Sequence, residues 1–358
     1  ALVGKNISYS VSRGYFTEKF EKLDLKNHEY INFDIQSIHE LPEKIKETIH
    51  VFADRTAIET AVLSGYDRLL NRIKFDSYTL MRKDDNGNTL LHKAAGLGHY
   101  HCCKVLVKKG ADATVANNHG ALPIFSALIL PIQHDKALPN RKIAIFELLQ
   151  DISGDPSNWT TKEGDTVFHK LVLHQEFQTI FKQLIKTHRA ILLKENNHHN
   201  LPIHTAILHN QSMYIYKILA AINHEDLVNR FKQNVLHFSA SHSAVEIVKE
   251  CFRAELLEQT DLYGMTPLMI AAKFGNVDAF EFLLSEHASI HSTDKEGNNI
   301  FHLAMMNGKG KMMEYMIKNN IANRLAHKKN DAGNSCIMLS QQKILSPKVH
   351  NFFESLYP

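Results

Sequence analysis

The sequence predicts an all-α array of repeated helix–turn–helix units, and three observations carry that expectation. The first is local. In Asp261–His291, DLYGMTPLMIAAKFGNVDAFEFLLSEHASIH, Gly264 stands where a tight turn needs positive φ, Thr266 is a helix N-cap, Pro267 an N1 residue and Gly275 a stop. The second is that the next helix lines up Val277, Phe280, Leu283 and Leu284 on one stripe. One turn and two short helices cannot bury that stripe alone, so neighbours of the same kind are required. The third is recurrence: Thr56–Gly65 aligns with Thr89–Gly98, thirty-three residues on.

Taken in order, residues 1–53 stand outside the repeat. They are aromatic-rich (Tyr9, Tyr15, Phe16, Phe20, Tyr30, Phe33), and helices are expected around Thr17–Leu23 and Pro42–Phe52, the second with Ile45, Ile49 and Phe52 at helical spacing. A helical cap on the open end of an array is the expected role, with the tail of an upstream domain as the alternative. The array itself runs from 54 to 358. Gly87, Gly120, Gly164, Gly264, Gly297 and Gly333 each precede by five residues a position held by His92, Phe125, His169, Met269, His302 and Met338. Two copies keep the histidine without the glycine, with His199 before His204 and Lys232 before His237, and distorted turns are expected there. Gly120 to Gly164 is longer, with an insertion around Leu130–Pro139, which a surface loop tolerates. In the last copy Ser335-Cys-Ile-Met replaces the cap-and-proline signal, and Phe352, Phe353 and Leu356 are expected to close the core.

Asp261–Ala272 carries D-x-x-G-x-T-P-L-x-x-A-A almost intact, and several copies share its register, so the chain resembles ankyrin-repeat proteins over roughly 54–356, about eight repeats. The resemblance implies an ankyrin-repeat solenoid with projecting β-turn fingers, and a concave groove of fingers and inner helices that binds other proteins. It also implies that His92, His169, His204, His237 and His302 are structural, their rings tying neighbouring turns together. Leu41-Pro42-x-x-Ile45-x-x-x-Ile49-x-x-Phe52 resembles the opening of an F-box, the helical motif that recruits a ubiquitin-ligase scaffold, which makes an adaptor the alternative function. The irregular copies, rich in Asn, Lys, Ile and His, resemble the ankyrin effectors that intracellular bacteria secrete into host cells. That resemblance implies a host protein as partner and the host cytoplasm as the place of action.

Composition narrows the field. Hydrophobic residues make up 44% of the 358, enough for a core, and Lys+Arg 41 against Asp+Glu 38 leaves a formal charge of +3 without a basic run, which argues against nucleic acid as the partner. Cys102, Cys103, Cys251 and Cys336 show no C-x-x-C spacing and read as free thiols of a reducing compartment, so a cytoplasmic protein is expected, and it is expected to be a monomer. There is no membrane-length apolar run, no secretory signal, and no G-x-S-x-G, phosphate-loop or H-E-x-x-H motif. The expectation is a binding module without catalytic residues, metal or cofactor. Because the chain opens on alanine, it reads alternatively as the targeting region of a larger enzyme whose catalytic domain lies upstream.

Two groups of residues are candidates for partner binding. Five residues beyond the histidine position, at the expected groove-facing end of the inner helix, three successive copies place His174, His209 and His242. Such a row would meet an acidic partner in a pH-dependent way, while its spacing is too wide for one metal ion. At the finger tips, the residue before the turn glycine position is Asn86, His119, Glu163, His198, Phe231, Tyr263, Glu296 or Ala332. Two adjacent tips are therefore aromatic, flanked by Arg230, Leu262 and Met265, with Phe274 at the helix end of the same repeat. Exposed aromatics beside arginine have the composition of an interface hot spot.

Overall fold

The computed structural model describes residues 55–131, 135–341 and 345–356. The helices expected at 17–23 and 42–52, and the F-box-like stretch with them, lie outside the described residues. Internal packing divides the chain into a unit ending at Lys162 and a second from Glu163 to Pro358. The fold is all-α and of the ankyrin-repeat type; no named β-strand occurs among the described residues, and an isolated antiparallel bridge joins Lys329 to Ser335 at the base of one finger.

The first unit contains α1 (Arg55–Leu63), α2 (Asp67–Arg72), α3 (Ser77–Met81), α4 (Leu90–Leu97), α5 (Tyr100–Lys108), α6 (Pro123–Ser126) and α7 (Leu138–Gln150). An inner row packs α1 on α4 and α4 on α6, and an outer row packs α2 on α5 and α5 on α7. Each helix is too short to be stable by itself, so the rows hold through buried side chains such as Leu70, Leu91, Leu106, Ile145 and Phe146. Each of these is worth roughly 1.5–3 kcal/mol of transfer free energy. The insertion between α6 and α7 is tied back by Lys142, whose fully buried ammonium donates to the carbonyls of Ser126 (3.2 Å) and Ile129. Trp159, buried against Phe146, donates from Nε1 to the Ser153 carbonyl at 2.9 Å and closes the loop after α7.

The second unit contains α8 (Val167–Leu171), α9 (Gln178–Thr187), α10 (Pro202–Leu208), α11 (Ser212–Ala221), α12 (Val235–His242), α13 (Val245–Cys251), α14 (Pro267–Phe274), α15 (Val277–Ser285), α16 (Ile300–Met306), α17 (Gly310–Lys318), α18 (Ile321–Leu325), α19 (Cys336–Ser340) and α20 (Pro347–Leu356). Its inner row runs α8, α10, α12, α14, α16, α19, each packed on the next, and α11, α13, α15, α17 and α20 follow one another on the outer side. The cap signals act as read: Thr266 Oγ1 accepts from the Met269 N–H, and Gly275 ends α14 at φ 80°. At the C-terminal end Phe353 is buried and stacks on Phe301 with ring centroids 5.8 Å apart, so the last helix does close the core.

The turns at His199 and Lys232 are not distorted, contrary to expectation. Both residues adopt the left-handed conformation, at φ 60° and 59°, and keep the turn bonds to Asn196 O (2.9 Å) and Asn229 O (2.8 Å). The reason lies three residues upstream. Asn196 Oδ1 accepts the N–H groups of His198 and Asn200, and Asn229 Oδ1 those of Phe231 and Gln233, so the side chain imposes the turn that glycine would otherwise merely permit.

Candidate functional site

The fingers are turns clamped by an Asp or Asn, except that the Glu163 finger has Thr161 in that place, and with one exception consecutive fingers are joined by a main-chain bond. Within the first unit Asn118 N–H donates to Asn86 O (3.0 Å) and Lys162 N–H to His119 O (2.7 Å). Within the second, Asn197 donates to Glu163 (2.8 Å), Leu262 to Phe231 (2.7 Å), Lys295 to Tyr263 (2.9 Å) and Asp331 to Glu296 (3.0 Å). A second tie comes from the repeat histidine. The Thr89 and Thr166 N–H groups donate to Nδ1 of His92 and His169, which fixes the proton on Nε2. Nε2 then donates to a carbonyl of the next finger: His92 to Ala121 (2.9 Å), His169 to Asn200 (2.8 Å), His237 to Met265 (2.9 Å) and His302 to Asn334 (3.0 Å).

Both ties change between the finger of His198 and the finger of Phe231. The Arg230 N–H bonds the Glu195 carboxylate instead of the preceding tip. His204, in the same step, accepts from Leu201 N–H at Nδ1 (3.1 Å), but its Nε2 has no hydrogen-bond partner among the described residues, and its ring lies flat on Phe238 at 3.9 Å. Burial pushes its pKa down to about 3, with the neighbouring His169 and His237 adding to the effect and the Leu227 backbone opposing it. The ladder of fingers is thus re-formed at this step with side-chain atoms.

The aromatic tips sit immediately beyond that step. Phe231 is half-buried: its ring meets the edge of His199 at 5.0 Å and faces Tyr263 at 6.4 Å with an interplanar angle of 24°. Arg230 is exposed, and its guanidinium stands 5.9 Å from the Phe231 ring centre. Tyr263 is 53% exposed, Leu262 40% and Phe274 39%, values that leave an apolar surface open to solvent. Met265 does not belong to that surface. It is buried, its carbonyl accepts from Asp261 N–H and His237 Nε2, and it supports the finger from beneath.

The three histidines at this spacing are not placed alike. The inner helix α8 ends at Leu171, so His174 lies beyond it in extended backbone (φ −135°, ψ 118°), half-buried against Phe177, with its carbonyl accepting the Tyr214 hydroxyl at 2.7 Å. His209 is instead the exposed C-terminal cap of α10. His242 ends α12, and its side chain lies outside the described residues. Equal spacing from the repeat histidine therefore does not give equal placement, because the inner helices differ in length.

Sequence reasoning missed the apolar residues at the same helix ends. Leu208 and Met306 lie four residues past His204 and His302 and are 44% and 43% exposed, as Phe274 is five past Met269. In the first unit Leu63, Leu97 and Ile129 fill the corresponding places, and a cleft beside them is lined by Asn86, Asn117 and His119. The signal was present as a large apolar residue recurring four or five positions after the histidine site.

Chemistry of other kinds finds little purchase. All four cysteines are buried, and burial raises every thiol, Cys102 to about 11 and Cys251 to about 12, so neither is a thiolate nucleophile near neutral pH. Among the described residues no group of three or more His, Cys, Asp or Glu is arranged to hold a metal ion, and no helix is long and apolar enough to cross a membrane.

Comparison with known proteins agrees with the geometry. A model of ankyrin repeats, three copies long, matches residues 58–139 and 212–294. The human transient receptor potential cation channel subfamily A member 1 is 24% identical over 65% of this chain, which corresponds to 20% of the channel. The human ankyrin and armadillo repeat-containing protein is 26% identical over 54% of the chain and 14% of its own length. The chain therefore spans a fifth or less of these relatives. The chicken nuclear factor NF-kappa-B p105 subunit is 30% identical over 29% of the chain and 11% of its own length. The crystal structure of the human ASB11 ankyrin repeat domain aligns with TM-score 0.39 at 18% identity, covering 69% of this chain and 90% of that one. The matched segments are ankyrin repeats, a class that generally mediates protein–protein interaction.

Proposed function

We propose that this chain is a protein-interaction module, without catalytic residues of its own, whose recognition surface lies on the second unit. Arg230, Phe231, Leu262, Tyr263 and Phe274 form its centre, and His174, His209 and His242 belong to the neighbouring copies. The observation that carries the reading is the aromatic pair at two successive tips, Tyr263 exposed and Phe231 half-buried beside it, where the other tips are Asn86, His119, Glu163, His198, Glu296 and Ala332. Clamped turns hold these rings in place before any partner arrives, so little ordering entropy is lost on binding. The irregular Asn-, Lys-, Ile- and His-rich copies support an effector that acts as a monomer on a host protein in the host cytoplasm.

The test is a double variant, Tyr263→Ala with Phe274→Ala. Partner recovered from host-cell lysate by the unmodified chain should be lost, with affinity reduced by at least about tenfold. The thermal melt should shift only as much as surface substitutions do. Undiminished recovery by a folded double variant rejects this surface.

A further inference from the structure

The aromatic tips stand among cations that no carboxylate answers. Arg230 covers one side of Phe231, and its nearest polar contact is His199 Nε2 at 3.3 Å. Lys295 donates its N–H to the Tyr263 carbonyl, and its side-chain stem lies against the turn, so that a Cβ added at Gly264 would meet its Cγ at 3.2 Å. Lys273, on the last turn of α14, brings its ammonium to 4.0 Å from the Met265 sulfur. Lys309 lays its methylenes over Gly275, directly after Phe274, within 3.3 Å of where a Cβ there would sit. Among the described residues none of these four cations forms an ion pair.

The carboxylates of the same stretch are already engaged in the fold. Glu195 accepts the Arg230 N–H and faces His199 Nδ1 at 3.3 Å. Asp261 is buried, with Oδ1 accepting from the N–H groups of Tyr263 and Met265. Asp294 clamps the next turn through the N–H groups of Glu296 and Asn298, and Glu296, the tip where the patch ends, shares the Asn298 amide. The division is consistent: anions serve the turns, while among the described residues the cations around the apolar surface have no carboxylate partner.

Resting on the interaction reading above, we infer that the partner presents a segment in which carboxylates flank an aromatic or large aliphatic residue, the apolar side chain seating against Tyr263 and Phe274 and the carboxylates meeting Arg230, Lys273, Lys295 and Lys309. Arginine and lysine in this setting give charge complementarity that both selects the partner and speeds encounter. A nucleic acid is disfavoured by the same geometry. Phe231 is half-buried in a T-shaped contact with His199 and stacked towards Tyr263, so it offers no open platform for a base, and the cations surround a patch instead of following a strand.

The experiment uses the full chain and four fluorescent probes. Three are short degenerate peptides combining Phe and Leu with Asp/Glu, with Asn/Gln or with Lys/Arg, and the fourth is a single-stranded oligonucleotide of mixed sequence. The acidic pool should bind at least about tenfold tighter than the neutral one, and the margin should shrink as salt is raised. Arg230→Glu with Lys295→Glu should abolish that margin in a protein of unchanged melting temperature. Equal binding of acidic and neutral pools overturns the inference; if that binding is still lost in Tyr263→Ala with Phe274→Ala, the interaction surface itself stands. Tighter binding of the oligonucleotide, or no binding of the acidic pool, overturns the inference as well, and the double aromatic variant in the lysate assay then decides the broader reading separately.

Discussion

His204 and His237 occupy the same place in successive repeats, yet their rings are held differently. His237 uses both nitrogens, Nδ1 accepting from the Asn234 N–H and Nε2 donating to the Met265 carbonyl, whereas among the described residues His204 leaves Nε2 without an acceptor in a fully buried position. Removing a satisfied buried hydrogen bond leaves the partner desolvated, at roughly 1–3 kcal/mol, whereas removing an already orphaned donor relieves a cost. His237→Phe should therefore destabilise the protein by at least about 2 kcal/mol more than His204→Phe, whose new ring can keep the stack on Phe238. Denaturant titration of the two variants checks the order, and equal losses would show that the rings contribute only through packing. The repeat frame identified both histidines as structural, but the difference between them was not legible, since nothing in the sequence says whether the next finger's carbonyl reaches the ring.

At the scale of one finger, the turn is specified twice, by the residue with positive φ and by the Asx clamp three residues before it. Lys232 is exposed at φ 59°, so Lys232→Gly should be neutral to stabilising, by up to about 1 kcal/mol, the relieved strain outweighing the extra freedom of the unfolded chain. Gly264→Ala should cost more than about 1 kcal/mol, because φ is 79° and the new Cβ would stand 3.0 Å from the Lys295 nitrogen. Thermal melts of the pair decide this, and a harmless Gly264→Ala would mean that the fingers slide freely on one another. The elements themselves were readable from residues such as Thr266, Pro267 and Gly275, because caps and stops are local signals. The site was readable in part. The exposure of Tyr263 and Phe274 was readable because a tip and a helix end have fixed register, whereas Met265 is buried because a neighbour in sequence along a clamped turn points into the core. The engaged carboxylates were invisible, since their partners are N–H groups supplied by turn geometry.

For the molecule as a whole, the repeat histidines make folding a proton-linked event. His92 in the first unit and His169, His204, His237 and His302 in the second are buried, and burial lowers the pKa of each below the ordinary histidine value of 6.5, for His204 to about 3. The unfolded chain then binds more protons than the folded one wherever pH lies below about 6.5 and above the folded values. In that window stability rises with pH; it is fully present above about 6.5 and is lost progressively as pH falls. For His204 alone the loss by pH 5 is on the order of 2 kcal/mol. Asp84 and Asp165, whose carboxyls are held below the usual range by their hydrogen bonds and by Lys93 and Lys170 against the opposing effect of burial, continue the same trend in more acid solution. Melting temperature should therefore fall steeply between pH 7 and pH 5, and the slope should correspond to more than one proton taken up on unfolding. His204→Phe should flatten that slope without abolishing it, because the other four rings still have to be protonated on unfolding. A melting temperature that is constant or higher at pH 5 would mean that these rings are charged in the folded state, and the Nε2–H to carbonyl ties assigned above would then need another proton arrangement.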